Sequence, residues 1–79
     1  MNNLEMYKNI LSSVLKLDSN VLDKNFNFKD IETWDSVAHI EIISELEYQF
    51  DIMLDTDEIL NFSSFEDGIN ILKKYNVEL

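Results

Sequence analysis

Residues 34–50 read WDSVAHIEIISELEYQF, and this stretch decides the fold because it has the period of one long amphipathic helix. At about 100° per residue its large apolar side chains share one face, and His39 points the same way. Those apolar residues are Ile42, Ile43, Leu46 and Phe50. We therefore predict that this face lies in the core and that the helix begins at Asp35-Ser36.

A second strip on the same helix does not fit a purely structural role. It places two apolar residues beside a serine and within a rim of carboxylates. The strip comprises Val37, Ile40, Glu41, Ser44 and Glu47, with Ser36 at its end. We predict that Val37, Ile40, Glu41, Ser44 and Glu47 contact partner proteins, and we call these five residues the docking strip.

Ser36 lies in the first turn of the predicted helix, where backbone N–H groups lack partners within the helix. The helix dipole adds partial positive charge there, so an anion attached to Ser36 would be stabilised. Serine is also a favoured helix cap, and Asp35 can cap equally well. These two residues alone leave both interpretations open.

The segment before the central helix predicts one further helix and a long loop. Asn2 or Asn3 can cap a helix that ends near Lys16, and its inward residues are assigned to the core only. Those residues are Leu4, Tyr7, Ile10, Leu11, Val14 and Leu15. Residues 21–34 follow no single period but carry six large apolar groups, so we predict a loop packed across the helices.

Two capping patterns follow the central helix. Asp55 with Glu58 predicts a short helix through Leu60, and Ser63 with Glu66 predicts the start of a final helix. Phe65, Ile69 and Leu72 are expected to face inward from that helix, and Gly68 is expected to mark a close helix contact. The sequence therefore predicts an all-α fold, a small four-helix bundle with a short third helix and a long packed loop between helices one and two.

The charge balance narrows the possible ligands. Sixteen acidic residues against six lysines and no arginine give a formal net charge of −10, and residues 30–72 contain no Lys or Arg. Nucleic acid is therefore not an expected ligand. The negative electrostatic field of such a chain would attract proteins with basic docking patches. Acidic residues can also serve only to keep a small domain soluble.

Size and composition set further limits. The 79 residues are interpreted as one domain, residues 1–79, and as a monomer. Without cysteine there is neither a disulfide nor a thiolate metal site. No signal peptide or membrane-spanning run is recognisable, so we interpret the protein as cytoplasmic and not inserted in a membrane.

Two other site types are considered and not favoured. Asp35, Ser36 and His39 have the residue types of a nucleophilic triad, but they are crowded into one turn without a Gly-rich elbow or a separate oxyanion hole. We therefore predict no enzymatic activity and no catalytic residue. An acidic cluster lacks the spacing and central glycine of an EF-hand loop, so no metal site is predicted. That cluster is Asp51, Asp55, Asp57 and Glu58.

Asp35-Ser36 and the residues after it resemble the acyl carrier protein family, in which an Asp-Ser motif is followed by an apolar residue. The resemblance extends from the first helix to about Leu72. It is carried by Asp35-Ser36-Val37, Ile40-Glu41-Ile42-Ile43, Leu46-Glu47, Phe50-Asp51-Ile52, Glu58-Ile59, Phe62-Ser63-Ser64-Phe65, Ile69 and Leu72.

The resemblance implies a carrier whose Ser36 bears 4'-phosphopantetheine through a phosphodiester. It implies coenzyme A as donor of this arm and a magnesium-dependent phosphopantetheinyl transferase as first partner. Acyl or aminoacyl groups would be held on the arm as thioesters and presented to loading and transferring enzymes with basic docking patches. The chemistry of the thiol belongs to the cofactor.

The chain also departs from the fatty-acid type of carrier. It has Ile31-Glu32-Thr33-Trp34 where Leu-Gly-x is usual before Asp-Ser, Asp55 where proline is common, and Ala38 and Ser44 where an acidic and a larger apolar residue are common. Trp before Asp-Ser looks more like a stand-alone carrier of a specialised route. Fatty-acid, polyketide and amino-acid cargo all stay open.

The principal alternative is an unmodified acidic helical domain that binds a helix or a basic patch with the docking strip. A third hypothesis is a small sensor of divalent ions that uses the acidic cluster.

Overall fold

The computed structural model describes residues 2–79, which form four α-helices. The helices are α1 (Asn3–Leu15), α2 (Ser36–Phe50), α3 (Thr56–Asn61) and α4 (Phe65–Lys74). Two short 3-10 turns, Ser19–Val21 and Phe28–Asp30, lie between α1 and α2. Within residues 2–79 the only β-type pairing is an isolated bridge between Asn27 and Ser64. The predicted all-α fold with a short third helix is confirmed.

The helix starts follow from local capping. The Asn2 side chain accepts the Glu5 N–H at 2.8 Å and begins α1. Asp55 and Glu58 form the reciprocal capping box expected for α3.

The predicted cap of α4 is wrong by one residue. Ser64, not Ser63, is the cap, and its hydroxyl accepts the Asp67 N–H at 3.0 Å. The carbonyl of Ser63 accepts the Phe28 N–H at 3.1 Å, which keeps Ser63 in the preceding loop. A contact with a residue so distant in sequence is outside the reach of a capping rule.

The core is one cluster to which all of the longer helices contribute. α2 contributes Ile42, Ile43 and Leu46 as predicted, but Ala38 is also buried and Phe50 is only half-buried. Fully buried side chains from the rest of the chain include Tyr7, Leu11, Leu15, Phe28, Phe62 and Leu72. The core face of α2 thus begins one turn earlier than its large apolar residues indicate.

The loop between α1 and α2 is packed, as predicted. Phe26 and Phe28 are buried, and the Phe65 N–H donates to the Phe26 carbonyl at 3.2 Å, which fixes the loop to the start of α4. Val21 is an exception to the predicted packing, being 49% exposed. The Thr33 hydroxyl donates to the Leu15 carbonyl, so the loop brings the start of α2 next to the end of α1.

α1 and α4 meet at Gly68, and the predicted close contact is confirmed. The Tyr7 hydroxyl donates to the Phe65 carbonyl at 2.7 Å, and the two rings stack with centroids 5.0 Å apart. Burial raises the pKa of the Tyr7 hydroxyl well above its ordinary value, and the Asp67 carboxylate adds to the rise. Because Gly68 has no side chain, it leaves room for this hydroxyl.

Candidate functional site

The start of α2 is capped by Asp35 and leaves the Ser36 side chain exposed. The Asp35 backbone is extended, and its carboxylate accepts the Ala38 N–H at 2.8 Å. Ser36 is the first residue of α2, and its hydroxyl is not the cap. Of the two caps left open by the sequence, the structure therefore uses Asp35, so the serine oxygen at this helix end can serve another purpose.

His39 and Trp34 hold the start of α2 against the rest of the bundle. The Trp34 indole N–H donates to Nδ1 of His39 at 3.3 Å, which assigns the proton to Nε2. Nε2 then donates to the Ile59 carbonyl of α3 at 2.9 Å. The Trp34 ring also stacks on Phe28, with centroids 6.1 Å apart. Both ring nitrogens of His39 are thus engaged by groups other than Ser36, and this geometry contains no serine–histidine pair.

The docking strip is largely exposed. Val37 and Ile40 are 70% and 56% exposed, as predicted, and Glu41 and Ser44 are exposed beside them. Glu47 differs, because it is half-buried and its carboxylate accepts the Leu54 N–H at 2.9 Å. Glu47 therefore holds the link between α2 and α3, and its part in docking stays a prediction.

A groove of about 850 Å³ runs between α1 and α2 and includes Ser36 in its lining. Its α2 side is formed by the docking strip from Val37 to Ser44, together with Glu45. Its α1 side is formed by Ile10, Ser13, Val14 and Lys16. The sequence predicts only a core role for the inward residues of α1, and two of them, Ile10 and Val14, also line this groove beside Ser36.

Two members of the acidic cluster after α2, Asp55 and Glu58, are engaged in structural contacts. Glu58 is only 7% exposed and accepts hydrogen bonds from the Asp55 N–H and the Tyr75 hydroxyl, while Lys74 lies 3.0 Å from its other oxygen. The hydrogen bond from Tyr75 lowers the pKa of the Glu58 carboxyl, with further lowering from Lys74 and the Asp55 N–H against the effect of burial. The same bond is the main cause that raises the pKa of Tyr75 to about 12. Glu58 thus ties α3 to the end of α4.

We expect Glu58→Gln to destabilise the protein most at neutral pH. Because folding lowers the pKa of Glu58, its ionised carboxylate stabilises the folded state at pH values above the pKa of Glu in the unfolded chain. This contribution to the free energy of unfolding is lost as the pH falls through the lower pKa of the folded protein. Because folding raises the pKa of Tyr75, the contribution of its neutral hydroxyl is lost at the other end, as the pH rises from about 10, the pKa of Tyr in the unfolded chain, towards the pKa in the folded protein. Urea unfolding from pH 3 to 11 checks this: the difference between wild type and variant should shrink at both ends, and a difference independent of pH would contradict it.

The described residues lack two features that other functions would require. Among residues 2–79 no group of three or more His, Asp or Glu side chains is arranged to hold a metal ion. None of the helices in that range has the length and apolar character that crossing a bilayer requires.

Comparison with known proteins agrees with this architecture. The profile of the family described as "Phosphopantetheine attachment site" matches residues 8–70. An acyl carrier protein of Clostridium acetobutylicum is 31% identical over 74 residues, which cover 94% of this chain and 96% of that relative. The solution NMR structure of the holo acyl carrier protein of Geobacter metallireducens has a TM-score of 0.78 at 28% identity, covering 94% of this chain and 85% of that one.

The fold and the profile match together define a phosphopantetheine attachment domain. The chain belongs to the acyl carrier protein family. The carrier function and the 4'-phosphopantetheine prosthetic group predicted from the sequence are thereby confirmed, and the unmodified interaction domain is not favoured. Members of this family carry intermediates and are not catalysts, which is consistent with the prediction that this chain is not an enzyme.

The start of α2 fits the prosthetic group chemically. Backbone N–H groups in the first turn have no carbonyl partner within the helix, and the helix dipole favours an anion there. Asp35 is occupied by the Ala38 N–H, and the exposed Ser36 opens onto the groove between α1 and α2. A phosphodiester on Ser36 would thus meet a polar, accessible helix end, with space for the attached arm.

Proposed function

We propose that Ser36 is the attachment residue and that Asp35 is the residue of the motif that holds the helix end in place. When bound, the 4'-phosphopantetheine supplies the thiol on which an acyl or aminoacyl group is held as a thioester. The Ser36 oxygen forms a bond to the pantetheine-bearing phosphorus of coenzyme A, the bond to the adenosine bisphosphate breaks, and the serine proton is lost to the transferase or to water. The protein supplies the nucleophilic oxygen and a helix end that stabilises the resulting phosphodiester.

The observation that carries this proposal is that Ser36 is exposed at the start of a long helix while a neighbour makes the cap. Three other serine hydroxyls are engaged in local hydrogen bonds. Ser12 donates to the Asn9 carbonyl, Ser63 donates to the Asp67 carboxylate, and Ser64 caps α4. Incubation with coenzyme A, magnesium and a broad-specificity transferase, followed by intact mass, tests the proposal: one added phosphopantetheine is expected.

We further propose that partners bind the docking strip and that these partners are the transferase and acyl- or aminoacyl-loading and transferring enzymes. The exposed apolar pair Val37 and Ile40, flanked by Glu41, suits a brief contact with an apolar spot inside a basic patch. Charge then raises the rate of encounter, and the apolar contact fixes the register. Residues 30–72, which include this strip, contain no Lys or Arg.

Charge reversal at Glu41 is expected to slow modification by the transferase and to reduce its salt dependence. The matched control is Glu5→Lys, which makes the same change in net charge on the exposed side of α1. Asp18 is unsuitable as a control because its side chain caps a 3-10 turn, and Glu47 is unsuitable because it holds Leu54. Transferase kinetics at several salt concentrations measure the effect, and equal slowing by both variants would mean that only net charge matters.

Ile40→Ala is expected to weaken docking at every salt concentration because it removes apolar contact area and no charge. Its 56% exposure indicates that the bundle loses little stability. Kinetics of the transferase reaction and thermal unfolding of the same sample separate the two effects. An unchanged Michaelis constant would remove Ile40 from the docking strip.

We also propose that residues 1–79 form a single cytoplasmic domain that acts as a monomer. One continuous core to which all the longer helices contribute supports the single domain. Mutual repulsion between copies with a formal net charge of −10 supports the monomer.

A further inference from the structure

The chain contains one histidine and one tryptophan, and the fold brings these two side chains together. Their rings meet edge to face with centroids 5.7 Å apart, and Nε1 of Trp34 lies 3.3 Å from Nδ1 of His39. Trp34 precedes Ser36 by two residues, and His39 follows it by three. The pair therefore brackets the proposed attachment residue, with one ring in the loop before α2 and the other on α2 itself.

The two hydrogen-bond neighbours of the imidazole require its neutral form. An indole N–H can only donate and a backbone carbonyl can only accept. Trp34 therefore needs an unprotonated Nδ1 on His39, and the Ile59 carbonyl needs a proton on Nε2. A neutral ring with its proton on Nε2 satisfies both contacts at once. It thereby joins the loop before α2 to α3 through a single side chain.

Protonation of the imidazole would break one of these contacts and keep the other. An imidazolium carries a proton on each nitrogen, so Nδ1–H would point at the Trp34 N–H and two donors would face each other. The bond from Nε2 to the Ile59 carbonyl would persist and would be strengthened by the charge. Trp34 would keep its stacking on Phe28 but would lose its hydrogen bond. The gain of one proton would therefore release Trp34 from His39 while α2 stays attached to α3.

The groups that pack on the imidazole do not themselves titrate. They are the indole of Trp34, the Ile59 carbonyl and the rings of Phe28 and Phe62. Asp35, one turn earlier on α2, accepts the Ala38 N–H. Glu58 on α3 is engaged by Tyr75 and Lys74. The other charged side chains of the adjoining loop and of the start of α3 are exposed, namely Lys29, Asp30, Glu32, Asp55 and Asp57. Because histidine ordinarily changes charge between pH 5 and 8, His39 is the group to which Trp34 would respond in that range.

We infer that His39 is a proton-sensitive positioning residue: its neutral ring holds Trp34 and thereby the backbone that leads into Asp35-Ser36, and protonation releases this hold. The inference deepens the proposed function, because it rests on Ser36 as the attachment residue and concerns how that residue is presented to the transferase. A fall in pH loosens the segment before α2 and so raises the Michaelis constant for the carrier. The chemistry of the transfer itself belongs to the transferase and is unchanged.

Fluorescence tests the release of Trp34 directly, because the chain has no other tryptophan. The full chain, without its prosthetic group, should show a one-proton change in Trp34 emission when it is titrated between pH 5 and 8. NMR of the single histidine gives the matching observation: Nδ1 should change from unprotonated to protonated with the same midpoint. At the acid end, the indole N–H should exchange with water as fast as that of a tryptophan peptide at the same pH.

Two variants that cannot titrate separate the two contacts of His39. His39→Gln can still donate to the Ile59 carbonyl but has no acceptor at the position of Nδ1, so Trp34 should show the released emission at every pH. His39→Asn places an amide oxygen near the position of Nδ1, so Trp34 should keep the bonded emission at every pH. The wild type should move between these two limits as the pH changes.

Transferase kinetics test the positioning role. Michaelis constants are taken as ratios of wild type to His39→Asn at each pH, so that the pH dependence of the transferase cancels. The ratio should rise as the pH falls, by up to about tenfold, the effect of losing one neutral hydrogen bond, and kcat should not change. Trp34→Phe keeps a ring that can stack on Phe28 but removes the N–H, so it should make the Michaelis constant insensitive to the state of His39.

The contrary outcomes are distinct from one another. Trp34 emission that stays constant between pH 5 and 8, or that changes equally in His39→Gln, would overturn the inference. A fluorescence transition in the wild type with a ratio of Michaelis constants independent of pH would overturn the positioning role. Failure of Ser36 to gain mass at any pH would overturn the proposed attachment. The fluorescence titration does not require the prosthetic group, so in that case it would still decide for or against the release of Trp34.

Discussion

Ser36→Ala is expected to abolish the gain of phosphopantetheine completely while leaving the fold intact. The variant removes the only oxygen proposed to attack coenzyme A, so no slower route remains. Its effect on stability should be small, within about 0.5 kcal/mol, because the side chain is exposed and the cap is made by Asp35. Intact mass after exhaustive incubation with transferase measures the first effect, and urea unfolding measures the second.

Two controls make this result specific. Ser44→Ala, on the same helix and also exposed, should accept one arm like wild type. Asp35→Ala should lower the free energy of unfolding by about 1 kcal/mol, the usual cost of a lost helix cap. A mass increase in Ser36→Ala, or modification found on Ser12, Ser13, Ser63 or Ser64, would show that the attachment residue is assigned wrongly.

Gly68→Ala is expected to produce the largest loss of stability from a small substitution in this chain. A Cβ at this position would lie 2.0 Å from the Tyr7 hydroxyl oxygen and 2.7 Å from Cε1 of Phe62. Both neighbours are buried rings, and Tyr7 is also held by its hydrogen bond to Phe65, so neither can move aside freely.

The clash should outweigh the helix propensity of alanine. Alanine favours a helix interior by up to about 1 kcal/mol relative to glycine, whereas overpacking a core costs about 1–3 kcal/mol and occasionally more. Because the misplaced tyrosine also loses its hydrogen bond, we expect a net loss of roughly 2 kcal/mol. For a chain of 79 residues, whose total stability is roughly 4–12 kcal/mol, this would lower the melting temperature by about 10 °C.

A matched variant on the same helix separates propensity from packing. Asn70→Ala changes an exposed position of α4 and should be neutral or slightly stabilising, because it gains propensity without a clash. In the double variant with Tyr7→Phe, part of the loss caused by Gly68→Ala should be recovered, since the atom nearest to the new Cβ is gone. Additive effects of Tyr7→Phe and Gly68→Ala would contradict a direct contact between these residues.

The groove that includes Ser36 extends beyond the docking strip to residues of α1. Val37 and Ile40 are exposed as predicted because both lie off the core face of a single helix. Glu47 was predicted on the same surface, but its carboxylate accepts the Leu54 N–H. The inward residues of α1 were predicted to serve the core only, but Val14 forms, together with Lys16, the opposite wall of the groove beside Ser36.

The amino-acid sequence by itself determined the number of helices, their approximate bounds and the position of Ser36 in the first turn of α2. These features depend on interactions within a few residues: apolar periodicity, and caps such as Asn2 with Glu5 or Asp55 with Glu58. The same local signals, together with the family resemblance, were sufficient to predict the carrier function.

Only the tertiary structure decided the features that join distant parts of the chain. Ser64 rather than Ser63 caps α4 because the loop from α1 occupies the Ser63 carbonyl. Lys16 meets the groove at Ser36 because the loop turns the end of α1 back onto the start of α2. Such contacts depend on the angle and distance at which the helices pack. The shapes of all the buried side chains together set that angle and distance, and the spacing of residues within one helix does not.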